Sequence, residues 1–187
     1  MREGIGRWKG RDWNVVACAR GEGYHRLAEA LARYGPVAPA GFFNVLVARV
    51  EEPAGLLEDL RRRLTEEEGL AGCLGRLVWV EETLDFADPA ELEGELLRRL
   101  ERWLPRLAGR TFHSRVRRRG LKGRLSGRTL ERSLNHHLVT RLRGLGRPGY
   151  VSFRDPDWVL AVETVGPRAG LSWWDRAARR RYPFLGL

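Results

Sequence analysis

The side chains able to do acid–base, nucleophilic or metal chemistry are few and scattered through the 187 residues. His136 and His137 are adjacent, so on a helix they point about 100° apart and do not face one ion. His25 and His113 stand alone in sequence. A satisfied or solvated imidazole is the expectation for all four, and no metal site is predicted. Cys18 and Cys73 show neither Cys-x-x-Cys nor Cys–His spacing, and two cysteines make neither a disulfide scaffold nor a cysteine zinc site. Gly21-Glu22-Gly23 lies between a predicted strand and a predicted helix, like the start of a dinucleotide loop. Arg26 occupies the third small position, however, and no phosphate-loop lysine is present, so an ordinary turn and no cofactor are expected. Residues 81–95 hold seven acids and no base, read as a helix cap, charges favoured at a helix N-terminus, and a solvated loop. No catalytic constellation emerges.

The basic residues are different in kind. Of 34 Lys and Arg only Lys9 and Lys122 are lysine, and the formal net charge is +10. Residues 110–187 carry 18 basic residues against five acids, a net of +13, while residues 1–109 are net −3. A preference for arginine throughout the chain explains the Arg/Lys ratio but not this clustering. The stretch RTFHSRVRRRGLKGR (110–124) contains Arg110, Arg115, Arg117, Arg118, Arg119, Lys122 and Arg124 without one acid. Arginine suits bidentate phosphate contacts and stacking on bases. Gly120 and Gly123 permit close backbone approach, and a helix starting near Ser126 offers amides to an anion. The plain alternative is a solvated charged hairpin. Phe112, Trp158, Trp173 and Trp174 could stack on bases, although at strand positions core packing is their ordinary role. With no heptads and no recognition-helix pattern, structured or single-ended RNA fits better than duplex DNA.

The elements that must position these residues follow from periodicity. Residues 13–18 and 42–50 read as apolar strands, 24–34 as a helix ended by Gly35-Pro36, and Glu52-Pro53 as the start of a helix bearing Leu56, Leu57, Leu60 and Leu64. A Gly-rich loop then leads to a strand at 77–83. This βαβαβ order predicts a two-layer α/β unit of ferredoxin-like type. Asp88-Pro89-Ala90-Glu91 predicts a capped helix running to about Leu107. Residues 111–118 alternate, placing His113, Arg115 and Arg117 on one face, expected to be wet. A helix is predicted over 126–142, with Leu130, Leu134, Leu138 and Leu142 as its stripe. Strands follow at 150–153, 158–165 and 168–172, then a short basic helix or tail. The boundary is placed near residues 83–89, giving domains of 1–86 and 87–187.

Composition excludes some classes outright. With 43% hydrophobic residues the chain can bury a sizeable core, so whole-chain disorder is excluded. No apolar run approaches the roughly 20 residues that span a bilayer. The opening MREGIGRWKGRDW carries no apolar stretch behind its charges, so no secretory signal is expected. A soluble, cytoplasmic protein without membrane partners is the expectation.

Three segments, TFHSRVRRRGLKG (111–123), SGRTLERSLNHHL (126–138) and FRDPDWVLAVETVGPRAGLS (153–172), together resemble the THUMP domain of tRNA-modifying proteins. Asp155-Pro156-Asp157 before an apolar strand matches the family form. The ending RRRYPFLGL resembles stand-alone THUMP proteins, among them adaptors that assist N4-acetylation of cytidine in tRNA. FNVLVARVEEP (43–53) is similar to the ferredoxin-like part of those adaptors. The resemblance covers roughly residues 13–187, its specific motifs 111–172. It implies a ferredoxin-like unit followed by a THUMP domain that binds tRNA by its 3′ CCA end and acceptor stem. It also implies that catalysis lies elsewhere, since only about fifteen residues follow the last motif and no methyltransferase or synthetase loop occurs.

The resulting expectation is a non-catalytic tRNA-binding adaptor that presents tRNA to a separate, acetyltransferase-like enzyme. Its candidate RNA contacts are Arg110, His113, Arg115, Arg117, Arg118, Arg119, Lys122, Arg124 and Arg128. One alternative is an RNA-modifying enzyme acting alone, with His113 or Glu163 in its site. The other is a protein–protein module whose basic half meets an acidic partner.

Overall fold

The computed structural model describes residues 10–187; residues 1–9 of the segment read for a secretory signal lie outside the described residues. The chain forms two units, one running through Val80 together with Arg180–Gly186, the other from Glu81–Arg179 with Leu187. Both are mixed α/β, each built on its own sheet.

In the first unit, apolar strand β1 (Val15–Ala19) is followed by α1 (Tyr24–Leu31), β2 (Val37–Pro39), β3 (Val45–Ala48), α2 (Pro53–Glu66), α3 (Glu68–Cys73) and β4 (Leu74–Trp79). The sheet order is β2-β3-β1-β4, with each neighbouring pair antiparallel. Counting α2 and α3 as one helical segment, the order is β-α-β-β-α-β, the order of split βαβ units. Strand β2 escapes a reading based on periodicity because three residues are too short to show alternation. The expected strand over 42–50 shrinks to β3, because Asn44 adopts φ 55 and turns the chain just before it. That turn leaves Phe43 92% exposed. Where a Gly-rich loop was expected, α3 forms instead, anchored by buried Leu70.

The predicted strand at 77–83 is two strands. β4 closes the first sheet, and β5 (Glu82–Asp85) opens the second. Asp88 then caps α4 (Pro89–Leu100), its carboxylate accepting from the Ala90 and Glu91 amides at 2.8 and 2.9 Å. Glu91, at the third helical position, accepts from the Ala87 amide, one residue before the cap, rather than from the Asp88 amide that a strict capping box would use. The helix does not continue unbroken to Leu107. A 3-10 turn at Glu101–Trp103 intervenes before α5 (Leu104–Leu107), since Pro105 has no N–H to return to the carbonyl of residue 101.

The chain continues with β6 (Thr111–Arg119), α6 (Gly127–Gly144), β7 (Tyr150–Val151), β8 (Trp158–Val165), β9 (Arg168–Asp175) and α7 (Arg176–Arg181). The sheet order is β5-β9-β8-β6-β7, with β6 parallel to both β7 and β8. Leu92, Leu96 and Leu100 of α4 join Leu130, Leu134, Leu138 and Leu142 of α6 against Phe112, Val116, Leu160 and Leu171 on one face. Because β7 is only two residues long, it leaves most of the outer edge of β6 unpaired. Helix α6 satisfies that edge with side chains: Asn135 Oδ1 accepts from the Ser114 amide and Glu131 Oε1 from the Val116 amide, both at 2.8 Å.

Gly149 shows how tightly β7 is seated. A Cβ there would lie 2.7 Å from Leu142 Cδ1 and 2.9 Å from the Leu107 carbonyl. Gly149→Ala should therefore destabilise the protein by about 1–3 kcal/mol through overpacking. Urea unfolding checks this, and an unchanged midpoint refutes the packing argument.

Candidate nucleic-acid interface

The face of β6 expected to be wet is dry at its start. His113 is only 3% exposed, Arg115 is half-buried, and the first fully exposed member is Arg117. The reason is tertiary: partners on the same face, Val159, Ala161, Ser172 and Trp174, are all buried, so alternation there separates two packed faces. His113 Nδ1 lies 2.9 Å from the Ser152 carbonyl, an acceptor, so the proton sits on Nδ1. Nε2 is then a buried lone pair without a hydrogen-bond partner. Burial chiefly, and Arg115 next among its charged neighbours, lowers the affinity of this imidazole for a second proton. His113 is thus a neutral structural residue at pH 7.

The nine candidate contacts separate into groups. Arg119 donates to Glu163 at 2.5 Å, and Glu163 is 0% exposed, so that guanidinium neutralises an interior carboxylate. Arg118 donates to the Gly120 carbonyl at 2.5 Å, closing the turn after β6. Gly120, Leu121 and Gly123 all take positive φ there, which explains the glycines. Lys122, Arg124 and Arg128 are exposed around this turn and the first turn of α6. Ser126 caps that helix, accepting from the Thr129 amide at 3.3 Å. The positive end of an 18-residue helix dipole therefore lies beside the exposed cations. Arg110 is not among them: it lies at the other end of β6, about 20 Å or more away at roughly 3.3 Å per residue.

At that end, the Asp155-Pro156-Asp157 motif serves as a latch. Asp157 Oδ2 accepts from both the amide and the hydroxyl of Thr111 at 2.9 Å, and the Thr111 hydroxyl accepts from the Asp157 amide at 2.9 Å. The Thr111 amide above all holds the Asp157 carboxyl below its ordinary range. Arg176 bridges to Asp155 and Asp157 at 3.2 and 3.4 Å. The aromatics proposed for stacking, Phe112, Trp173 and Trp174, are buried, and Trp158 packs edge-on against Trp103. The exposed aromatics here are Tyr150 and Phe153, which sequence reading assigned to a strand.

Among the described residues, no group of three or more His, Cys, Asp or Glu could hold a metal ion, and no helix is long and apolar enough to cross a membrane. His113 and Glu163, offered as members of a catalytic site, are not brought together. In register His113 faces Val159, four residues and about 13 Å from Glu163.

No family model matches the chain, and no curated protein matches it. Solved structures do share its fold. TrmN from Thermus thermophilus aligns with a TM-score of 0.53 at 21% identity, over 85% of this chain and 44% of that one. A 4-thiouridine synthetase in complex with RNA and bound ATP aligns at 0.51 and 14%, over 86% and 41%. A possible methylase from Clostridium difficile 630 aligns at 0.51 and 12%, over 86% and 40%. The chain spans less than half the length of these structures. The likeness supports a THUMP-type α/β fold. It also corrects the expectation of a non-enzyme, because the same fold occurs within chains named as a synthetase and a possible methylase.

Two measurements check the assignments made here. Glu163→Gln should cost about 3 kcal/mol or more in urea unfolding, because it breaks the buried ion pair with Arg119 by removing the charge of one partner. For His113 the sign follows from its lowered pKa. Above pH 6.5 the imidazole is neutral in both folded and unfolded chains and contributes nothing; as pH falls below that, the unfolded chain takes the proton first. Stability should therefore drop between pH 6.5 and 5, and His113→Phe should shrink that drop.

Proposed function

We propose that the chain takes part in enzymatic RNA modification, its second unit serving to grip the RNA. The observation that carries this reading is the exposed Lys122, Arg124 and Arg128 gathered around the tight turn after β6 and the capped N-terminus of α6. Such an arrangement offers guanidinium and ammonium groups, backbone amides and a helix dipole to phosphates at one place. A fold shared with a synthetase crystallised with RNA supports the same reading. The substrate class is tRNA, as the THUMP resemblance implies, and the setting is the cytoplasm. Acetylation of cytidine is one reaction to be sought, with a separate tRNA-modifying enzyme as its partner.

Affinity for tRNA should fall steeply with salt, because each phosphate contact releases condensed counterions. The triple variant Lys122→Ala, Arg124→Ala, Arg128→Ala should weaken tRNA binding and flatten the salt slope by about one per lost contact. Its stability should move by no more than about 0.5 kcal/mol for each exposed site. No binding of tRNA at low salt overturns the proposal, and a matching loss of stability shows the residues to be structural. Nucleoside mass spectrometry of tRNA incubated with the protein and acetyl, methyl or sulfur donors then identifies the reaction.

A further inference from the structure

The first unit holds a recess of about 170 Å³ where α1 meets the junction of α2 and α3. Arg26, Glu29 and Arg33 line it from the side of α1, Arg63 and Glu67 from the other. Arg63 is the unusual member: it is 4% exposed, on a helix whose other buried residues are leucines. Its Nε donates to Glu67 Oε1 at 2.7 Å and its Nη2 to Glu67 Oε2 at 3.2 Å. That fork uses one edge of the guanidinium. Nη1 is buried with no hydrogen-bond partner, and a donor left unmet away from water costs free energy. Arg26 and Arg33 are exposed and, among the described residues, make no hydrogen bond or ion pair. The Arg26 guanidinium rests against α3 at Gly69, where a Cβ would lie 2.5 Å from its Cζ. Glycine at that position leaves the room the guanidinium occupies. The charges of both arginines reach the recess, since Glu67 is held below the ordinary carboxylate range by Arg63 first and also by Arg33 and Arg26.

With Glu67 matched to Arg63, the recess offers Arg26, Arg33 and the unused Nη1 of Arg63 against one other carboxylate, Glu29, which is exposed and screened by water. Guanidinium groups around a small space fit an oxyanion, which accepts several N–H donors at once. The volume equals that of about six waters at roughly 30 Å³ each, enough for a phosphate group. It is well below the roughly 300 Å³ at which pockets for larger ligands begin. We propose that this recess binds a phosphate group with three or more free oxygens, either inorganic phosphate or the end of a phosphate monoester. A phosphodiester within a polymer has only two free oxygens between two esterified ones, which suits an open surface better than a recess with a buried guanidinium in its wall. The site belongs to the first unit and is independent of RNA binding by the second, so either can fail without the other.

The test is isothermal titration calorimetry of the full chain with inorganic phosphate, methyl phosphate and dimethyl phosphate, in about 0.15 M chloride to screen diffuse attraction. Inorganic phosphate should bind saturably at one site per chain, and dimethyl phosphate at least about ten-fold more weakly, as expected for lost hydrogen bonds to charged groups. Methyl phosphate separates the two sources: binding as tight as that of phosphate admits monoesters, and its failure to bind restricts the site to the free ion. Arg26→Gln and Arg33→Gln should each weaken phosphate binding about ten-fold, the contribution of one such hydrogen bond. Arg132→Gln, at an exposed arginine of α6, should leave it unchanged. Gly69→Ala gives an independent reading, because the added methyl displaces the Arg26 guanidinium. Phosphate affinity should fall while the urea midpoint holds or rises, alanine being the better helix former. No saturable binding of inorganic phosphate by the wild type overturns the site. So does an equal loss in Arg132→Gln, which marks diffuse attraction to a cationic chain. Dimethyl phosphate binding as tightly as phosphate overturns it in favour of a phosphodiester contact with a polymer.

Discussion

The edge of β6 sets much of the second unit. A nine-residue strand whose outer neighbour spans two residues leaves N–H groups that need acceptors away from water. Asn135 and Glu131 provide them from α6, and in doing so fix that helix along the strand. The return path from β6 to α6 must then be short, which forces the three positive-φ residues of the turn. The basic turn is compact because an unpaired backbone edge had to be covered by a helix.

The same constraint divides the arginines by role. Those nearest the sheet interior are drawn into structure: Arg119 pairs with the buried carboxylate of Glu163, and Arg118 closes the turn on a backbone carbonyl. Those beyond Gly120 keep their charge outward. Burying an uncompensated charge costs several kcal/mol, whereas an exposed guanidinium costs little. Charge density along a sequence therefore overstates the number of cations available to a polyanion. It still locates the surface, because the structural pairs hold the remaining cations in place.

The exposed cations around the turn after β6 and the capped start of α6 are the features on which the RNA reading rests. Among the described residues no group of three or more His, Cys, Asp or Glu could hold a metal ion. The same fold occurs within chains named as a 4-thiouridine synthetase and a possible methylase. In such chains binding energy gathered away from the reacting atoms can position them.

Much was legible from residue order. Asp88, Pro89 and Glu91 announced a helix start that the capping geometry reproduces, Ser126 announced another, and the leucine stripes of α4 and α6 marked one core face. These signals are local, carried by side chains within a turn of the backbone they satisfy. The alternation of β6 was equally visible, but whether its second face met water was not. His113 is buried on a face it shares with Val159, its register partner on β8, and Trp174, the partner of Val159 on β9. The same holds for Glu163 and Arg119, 44 residues apart, and for Phe153, which lies beyond the two paired residues of β7 and is exposed. The sequence by itself determined the long helices and strands of the second unit, the helix starts at Asp88 and Ser126, and the half of the chain that carries the charge. Only the tertiary structure decided which cations are spent on neutralising the interior and which aromatics face solvent, because desolvation is a property of neighbours in space.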